Sequence, residues 1–162
     1  MTVSAAIRTL HIVLAVSWAG SAFFQVLVLE PAMRRLGPDA GKMMGAMTAS
    51  KLALLLTTSS IGTLLTGIYV FWWLSSGFES AWLRTPYAHS LMLGAATGIL
   101  TFLMGLFVSR PTAEKLGRLA AAGGPEAAAR IPKLANRLRF AARLGAVLLL
   151  ISVLAMASAR YV

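Results

Sequence analysis

The chain contains two histidines, His11 and His89, and each stands at the head of a long apolar run. Placing an ionisable side chain inside a bilayer costs about 2 to 3 kcal/mol even on the gentler scales, so such residues usually do something there. One use is ligation: two neutral imidazoles on facing helices of a bundle can approach a haem iron from opposite sides. The surroundings suit that use. Leu14 and Trp18 follow His11 at i+3 and i+7 on its helical face, Ala15 and Gly94 are small enough to admit a flat ring, and Arg8 and Arg84 are placed to meet propionates. The expected haem b site is therefore His11, His89, Trp18, Gly94, Arg8 and Arg84.

Two other chemistries fit the same residues. Met92 follows His89 at i+3 and Met156 lies at similar depth, so His11, His89, Met92 and Met156 form a candidate soft nitrogen and sulfur site for copper. In the third reading the histidines only hydrogen-bond between helices of a cofactor-free scaffold or assembly subunit. With no cysteine in the chain, thiolate sites and disulfides are excluded.

Any of these sites needs helices to carry it. Of 162 residues, 58% are hydrophobic and 12% charged, and the mean hydropathy is +0.77, a membrane composition. Four runs can cross ~30 Å of hydrocarbon at ~1.5 Å per helical residue: 9–29, 52–74, 87–108 and 140–159. The fold expected is an all-α integral membrane bundle of four helices in one domain, 1–162. Pro38-Asp39 reads as a helix start that extends the second span, Ser75-Ser76-Gly77 and Pro86 as breakers, and Gly123-Gly124-Pro125 as a turn after a short helix from Thr112. A basic amphipathic stretch leads into the fourth span, where Arg143 can snorkel. No convincing internal repeat is visible.

Charge fixes the expected orientation. The first and third connections with their flanks hold twelve of the fifteen Lys and Arg residues, and only Arg8, Arg84 and Arg160 lie on the other side. Basic loops stay cytoplasmic, so both termini should face outward across a bacterial-type inner membrane. Tyr69, Trp72, Trp73, Phe78, Trp82, Tyr87 and Tyr161 would then form an outer aromatic belt. The net charge of +10 suits anionic lipid head groups rather than nucleic acid. Counted from Arg8 and Arg84, the two histidines lie within ~3 Å of one depth.

Weaker signals are read as structural. The hydroxyl-rich Thr57 to Gly67 should bond its own backbone or let helices approach, Met43, Met44 and Met47 should pack or meet lipid, and Gln25 should bridge helices. The Gly94 to Gly98 spacing is a candidate homodimer contact. There is no phosphate loop, catalytic triad or intramembrane carboxylate pair.

"HIVLAVSWAG" with His11, Trp18 and Gly20, followed by "SKLALLLTTSSIGTLLTGIYVFW" and "WLRTPYAHSLMLG", resembles the superfamily that joins CopD-like copper-resistance membrane proteins to HemJ-type protoporphyrinogen oxidases. The resemblance implies a compact four-helix bundle and, in the HemJ-like branch, a b-type haem on the first-span histidine, here His11. It places His89 where that branch has basic residues heading the third span, and Lys51 where a Lys or Arg opens the second. Where that branch carries Asn-Glu before its last helix, this chain has Asn136-Arg137. The activity expected from the histidine pair is electron transfer or oxidation near the outer face, with a quinone, a porphyrin or another protein as counterpart; the resemblance adds porphyrinogen oxidation as one form of it.

Overall fold

A computed structural model describes the backbone of residues 2–36 and 51–162 and the side chains of 2–35 and 54–162. Pro38-Asp39 and the methionines 43, 44 and 47 lie outside the described residues. The described residues form helices joined by short turns, with no strand. Helix α1 (Val3–Phe24) passes through a π turn (Gln25–Leu29) into α2 (Glu30–Leu36). Then come α3 (Lys51–Leu74), the single turn α4 (Ser80–Leu83), and α5 (Pro86–Met104), which runs through a second π turn (Gly105–Ser109) into α6 (Arg110–Ala122). The chain ends with α7 (Pro125–Ser158) and a 3-10 turn (Ala159–Tyr161).

Local chemistry starts and stops these helices. Thr2 and Thr85 cap α1 and α5 by accepting the amides of Ala5 and Ala88, and Pro86 occupies a first-turn position where its missing N–H costs nothing. Gly123 and Gly124, at φ of 65° and 90°, reverse the chain between α6 and α7. Among the described residues four helical segments are long and apolar enough to cross a membrane: Val3–Arg35, Leu54–Leu74, Pro86–Ala122 and Pro125–Tyr161. The last two have 37 residues each, ~55 Å against ~30 Å of hydrocarbon. They extend well past the expected limits of 108 and 140, as a basic helical arm.

The helices pair as two hairpins, α1 with α3 and α5 with α7. Contacts between α1 and α7 join the hairpins, whereas α3 and α5 barely touch. The first and third spans are therefore diagonal across the bundle. Hydroxyl groups along α3 bond back to their own helix as expected, for example Ser59 to the Leu55 carbonyl at 2.5 Å and Thr63 to that of Ser59 at 2.7 Å. In the second hairpin Gly94 receives Met156 and Ser152: a Cβ on Gly94 would lie 2.7 Å from Met156 Cγ and 3.1 Å from the Ser152 carbonyl oxygen. Ser152 Oγ donates to the Gly94 carbonyl at 2.7 Å. Gly98 is buried on the same face. The small-residue stripe read as a dimer contact is thus spent inside the chain, because a face that admits one helix this closely has no room for a second.

Arg143 does more than snorkel. Its Nε and terminal nitrogen reach both Glu30 carboxylate oxygens at 3.1 and 2.5 Å, and Arg34 donates to the same carboxylate at 2.8 Å. This fork fastens α2 to α7 where the hairpins meet. The Glu30→Gln variant should lower the melting midpoint of the detergent-solubilised protein, and Glu114→Gln, which removes only an exposed i,i+4 pair with Arg110, should lower it less. Equal effects would deny the fork its role.

The structure also exposes a repeat that composition had hidden. A shift of 80 positions carries the π turn Gln25–Leu29 onto Gly105–Ser109 and "VLEPAMRRLG" from Val28 onto "VSRPTAEKLG" from Val108. Both π turns directly precede an X-Pro pair, Glu30-Pro31 and Arg110-Pro111. A proline ring clashes with the carbonyl four residues back, and the wider turn relieves that clash. In the returning helices a shift of 92 matches Lys51-Leu52 with Arg143-Leu144, Ser60 with Ser152 and Tyr69 with Tyr161. Repeats of this parallel kind recur among membrane proteins.

Candidate functional site

His11 lies in the interface of the first hairpin. Its Nδ1 is 3.0 Å from the Thr63 carbonyl oxygen and 3.1 Å from Thr66 Oγ1. A carbonyl only accepts, so Nδ1 carries the proton and the neutral ring keeps its lone pair on Nε2. Thr66 donates its own proton to the Gly62 carbonyl at 2.6 Å, which leaves its oxygen free to accept from His11 as well. The ring can lie there because position 67 is glycine: a Cβ would stand 2.9 Å from His11 Cε1. One turn deeper, Leu14 fills the space above Gly62 in the same way, where a Cβ would come within 2.8 Å of it. Trp18, a further turn along, is buried.

Among the described residues Nε2 of His11 has no partner, and it is not sealed from its surroundings. An imidazole whose Nδ1–H is held by a backbone carbonyl and whose Nε2 is open is the usual arrangement of a metal-ligating histidine. His11 thus fits a haem iron on one side. Its ring is held, its tautomer is set, and its free nitrogen is open to a ligand.

The other expected members are elsewhere. His89 is exposed on α5, and Arg8 and Arg84 are exposed as well. Gly94 and Met156 pack against each other in the second hairpin, away from the α1–α3 interface that holds His11. Met92 is half-buried on α5. The structure does not bring His11 and His89 to one slot within a chain, nor His11 to the methionines. Among the described residues no three His, Asp or Glu side chains cluster as a metal site.

The repeat explains why shared depth did not become shared direction. The counterpart of His11 is Leu91, half-buried like His11, and the counterpart of His89 is Thr9, exposed like His89. His89 stands two positions before Leu91, and two residues turn a helix by about 200°. A residue at that position points away from the partner helix when its neighbour two places on points towards it.

At the end of the bundle that carries both termini, aromatic rings interlock. Phe71 meets Trp82 edge-on at 5.4 Å between centroids, Trp82 meets Tyr87 at 5.9 Å, and Tyr69 leans on Trp72 at 6.2 Å. The turn between α3 and α4 holds Ser76, Gly77 and Phe78 in succession at positive φ, with the buried Ser75 hydroxyl accepting the Phe78 amide at 2.9 Å.

No family model, curated protein or solved structure matches the chain. The residues carry the reading from here.

Proposed function

We propose that the chain is a haem b-binding integral membrane protein in which His11 ligates the iron through Nε2, acting in electron transfer or redox chemistry near the membrane face that bears both termini. One observation carries it, the Thr63 carbonyl 3.0 Å from His11 Nδ1. Bound haem would supply one-electron chemistry at its iron. The protein's part is to fix the ring: Thr63 sets the tautomer, Thr66 offers the same proton a second acceptor, and Gly67 leaves the space the imidazole needs. Arg8, one turn nearer the terminal end, is the cation closest in sequence for a propionate.

On this reading the basic end, with Arg34, Arg35 and the α6–α7 arm, faces the cytoplasm of a bacterial-type inner membrane, and the termini face outward. Oxidation of a porphyrinogen is the enzymatic activity that the HemJ-like resemblance implies, and the Asn136-Arg137 departure argues for testing electron transfer first.

The position of His89 favours a second reading, a cofactor-free scaffold in which His11 only staples α1 to α3. Absorption spectra of the detergent-solubilised protein, expressed with haem supplied and recorded oxidised and reduced, separate the two. A Soret band near stoichiometric haem supports ligation, and its absence sinks it.

A further inference from the structure

The two seams between the hairpins are counterparts under the repeat, yet only one is closed. Where α1–α2 meets α7, Ala19 is 5% exposed and the Glu30 side chain 12%. Their counterparts on the side of α5–α6 that should meet α3 are Ile99, 44% exposed, and Arg110, whose side chain is 66% exposed. Leu106, the counterpart of the half-buried Val26, is 41% exposed.

Charge accounts for the difference. The closed seam has a carboxylate, Glu30, reaching Arg143 of the returning helix. In the open seam Arg110 replaces Glu30, and in the sequence repeat Arg143 is matched by Lys51, so two cations are matched with an anion and a cation. Among the described residues no carboxylate crosses the open seam. Arg110 touches Glu114 through Nε at 3.2 Å, a solvent-exposed pair on its own helix that leaves the two terminal guanidinium nitrogens available. At this point the surface holds a groove of about 360 Å³ with Leu106, Phe107 and Pro111 as its apolar wall and Arg110 and Glu114 at its polar end.

We propose that this groove binds an anionic phospholipid, with its phosphate on Arg110 and its acyl chain along Leu106, Phe107 and Ile99, so that the lipid supplies the anion that Glu30 provides in the other seam. A carboxylate fixed by the chain closes one seam permanently. A lipid closes the second only when it is present. The site is independent of the haem reading, since it uses the other hairpin and the opposite end of the bundle.

Native mass spectrometry of the delipidated protein tests this with added phosphatidylglycerol, phosphatidylcholine or glycerol phosphate. Wild type should retain phosphatidylglycerol over phosphatidylcholine, and Arg110→Gln should weaken that retention about five- to tenfold, as expected for one lost cation at a head group. Arg118→Gln, an exposed cation on the arm outside the groove, should leave retention unchanged. Equal loss in both variants would reduce the effect to general surface charge and overturn the proposal. So would equal retention of the zwitterionic lipid, retention of neither lipid, or competition by glycerol phosphate as effective as that by the lipid, because the acyl chain would then contribute nothing.

Discussion

His11→Ala loses the Soret band of the haem-loaded protein, and His89→Ala keeps it. This is the largest effect expected of any single substitution, and the asymmetry distinguishes the structure from the symmetric pair suggested by the sequence. The two readings of His11 differ in scale. As a staple it contributes one hydrogen bond between membrane helices, about 0.6 kcal/mol on average and rarely above ~1.7, so its loss would shift the melting midpoint slightly and change no spectrum. As a ligand it holds the whole chromophore. Parallel spectra and thermal melts of both variants decide: a band that survives His11→Ala, or that disappears with His89→Ala alone, removes the ligand role given to His11.

Gly94→Ala should destabilise the bundle by about 1 to 3 kcal/mol, the usual range for overfilling a close-packed site. The added methyl would meet Met156 Cγ at 2.7 Å and the Ser152 carbonyl oxygen at 3.1 Å. The thioether can swing aside, but the backbone oxygen cannot, and separating α5 from α7 would stretch the Ser152 to Gly94 hydrogen bond. Gly20→Ala is the control, because nothing lies within 4 Å of a Cβ there. Thermal melts in detergent should show a clear drop for the first and none for the second. Matching midpoints would mean that Gly94 is not a contact point between the helices.

The sequence made the spans legible because hydrophobic length is additive: 20 apolar residues make a crossing whatever their order. Depth was legible only coarsely. Counted up from the Glu30–Arg143 fork and across at Gly94–Ser152, the two histidines come out about 6 to 7 Å apart along the bundle, against the ~3 Å expected. Direction around the helix was not legible, since it depends on position modulo 3.6 and on knowing which helix lies opposite. Two residues separate His89 from the place where it would have faced its hairpin partner as His11 does. The repeat was hidden by the apolar alphabet, in which Leu, Val and Ala interchange freely, and by opposite charges at matching sites, Glu30 for Arg110 and Arg34 for Glu114. The prolines carried the available signal: Pro31 and Pro111 each follow a charged residue at the basic end of a span, in ten-residue frames that match at valine, proline, leucine and glycine.

Each π turn accommodates one residue more than an α-helix would over the same rise, and that extra residue acts as a phase shifter. The helix beyond it keeps its direction while the residue count runs one ahead, an offset of about 100° in α-helical phase. Removing one residue from 25–29 should therefore restore a plain α-helical turn with His11 still in its interface and Glu30 still on the α7 side, whereas the same deletion in a helix without a π turn would swing everything beyond it by about 100°. The apolar spans and the basic extension are thus held in one orientation by a turn that absorbs a residue.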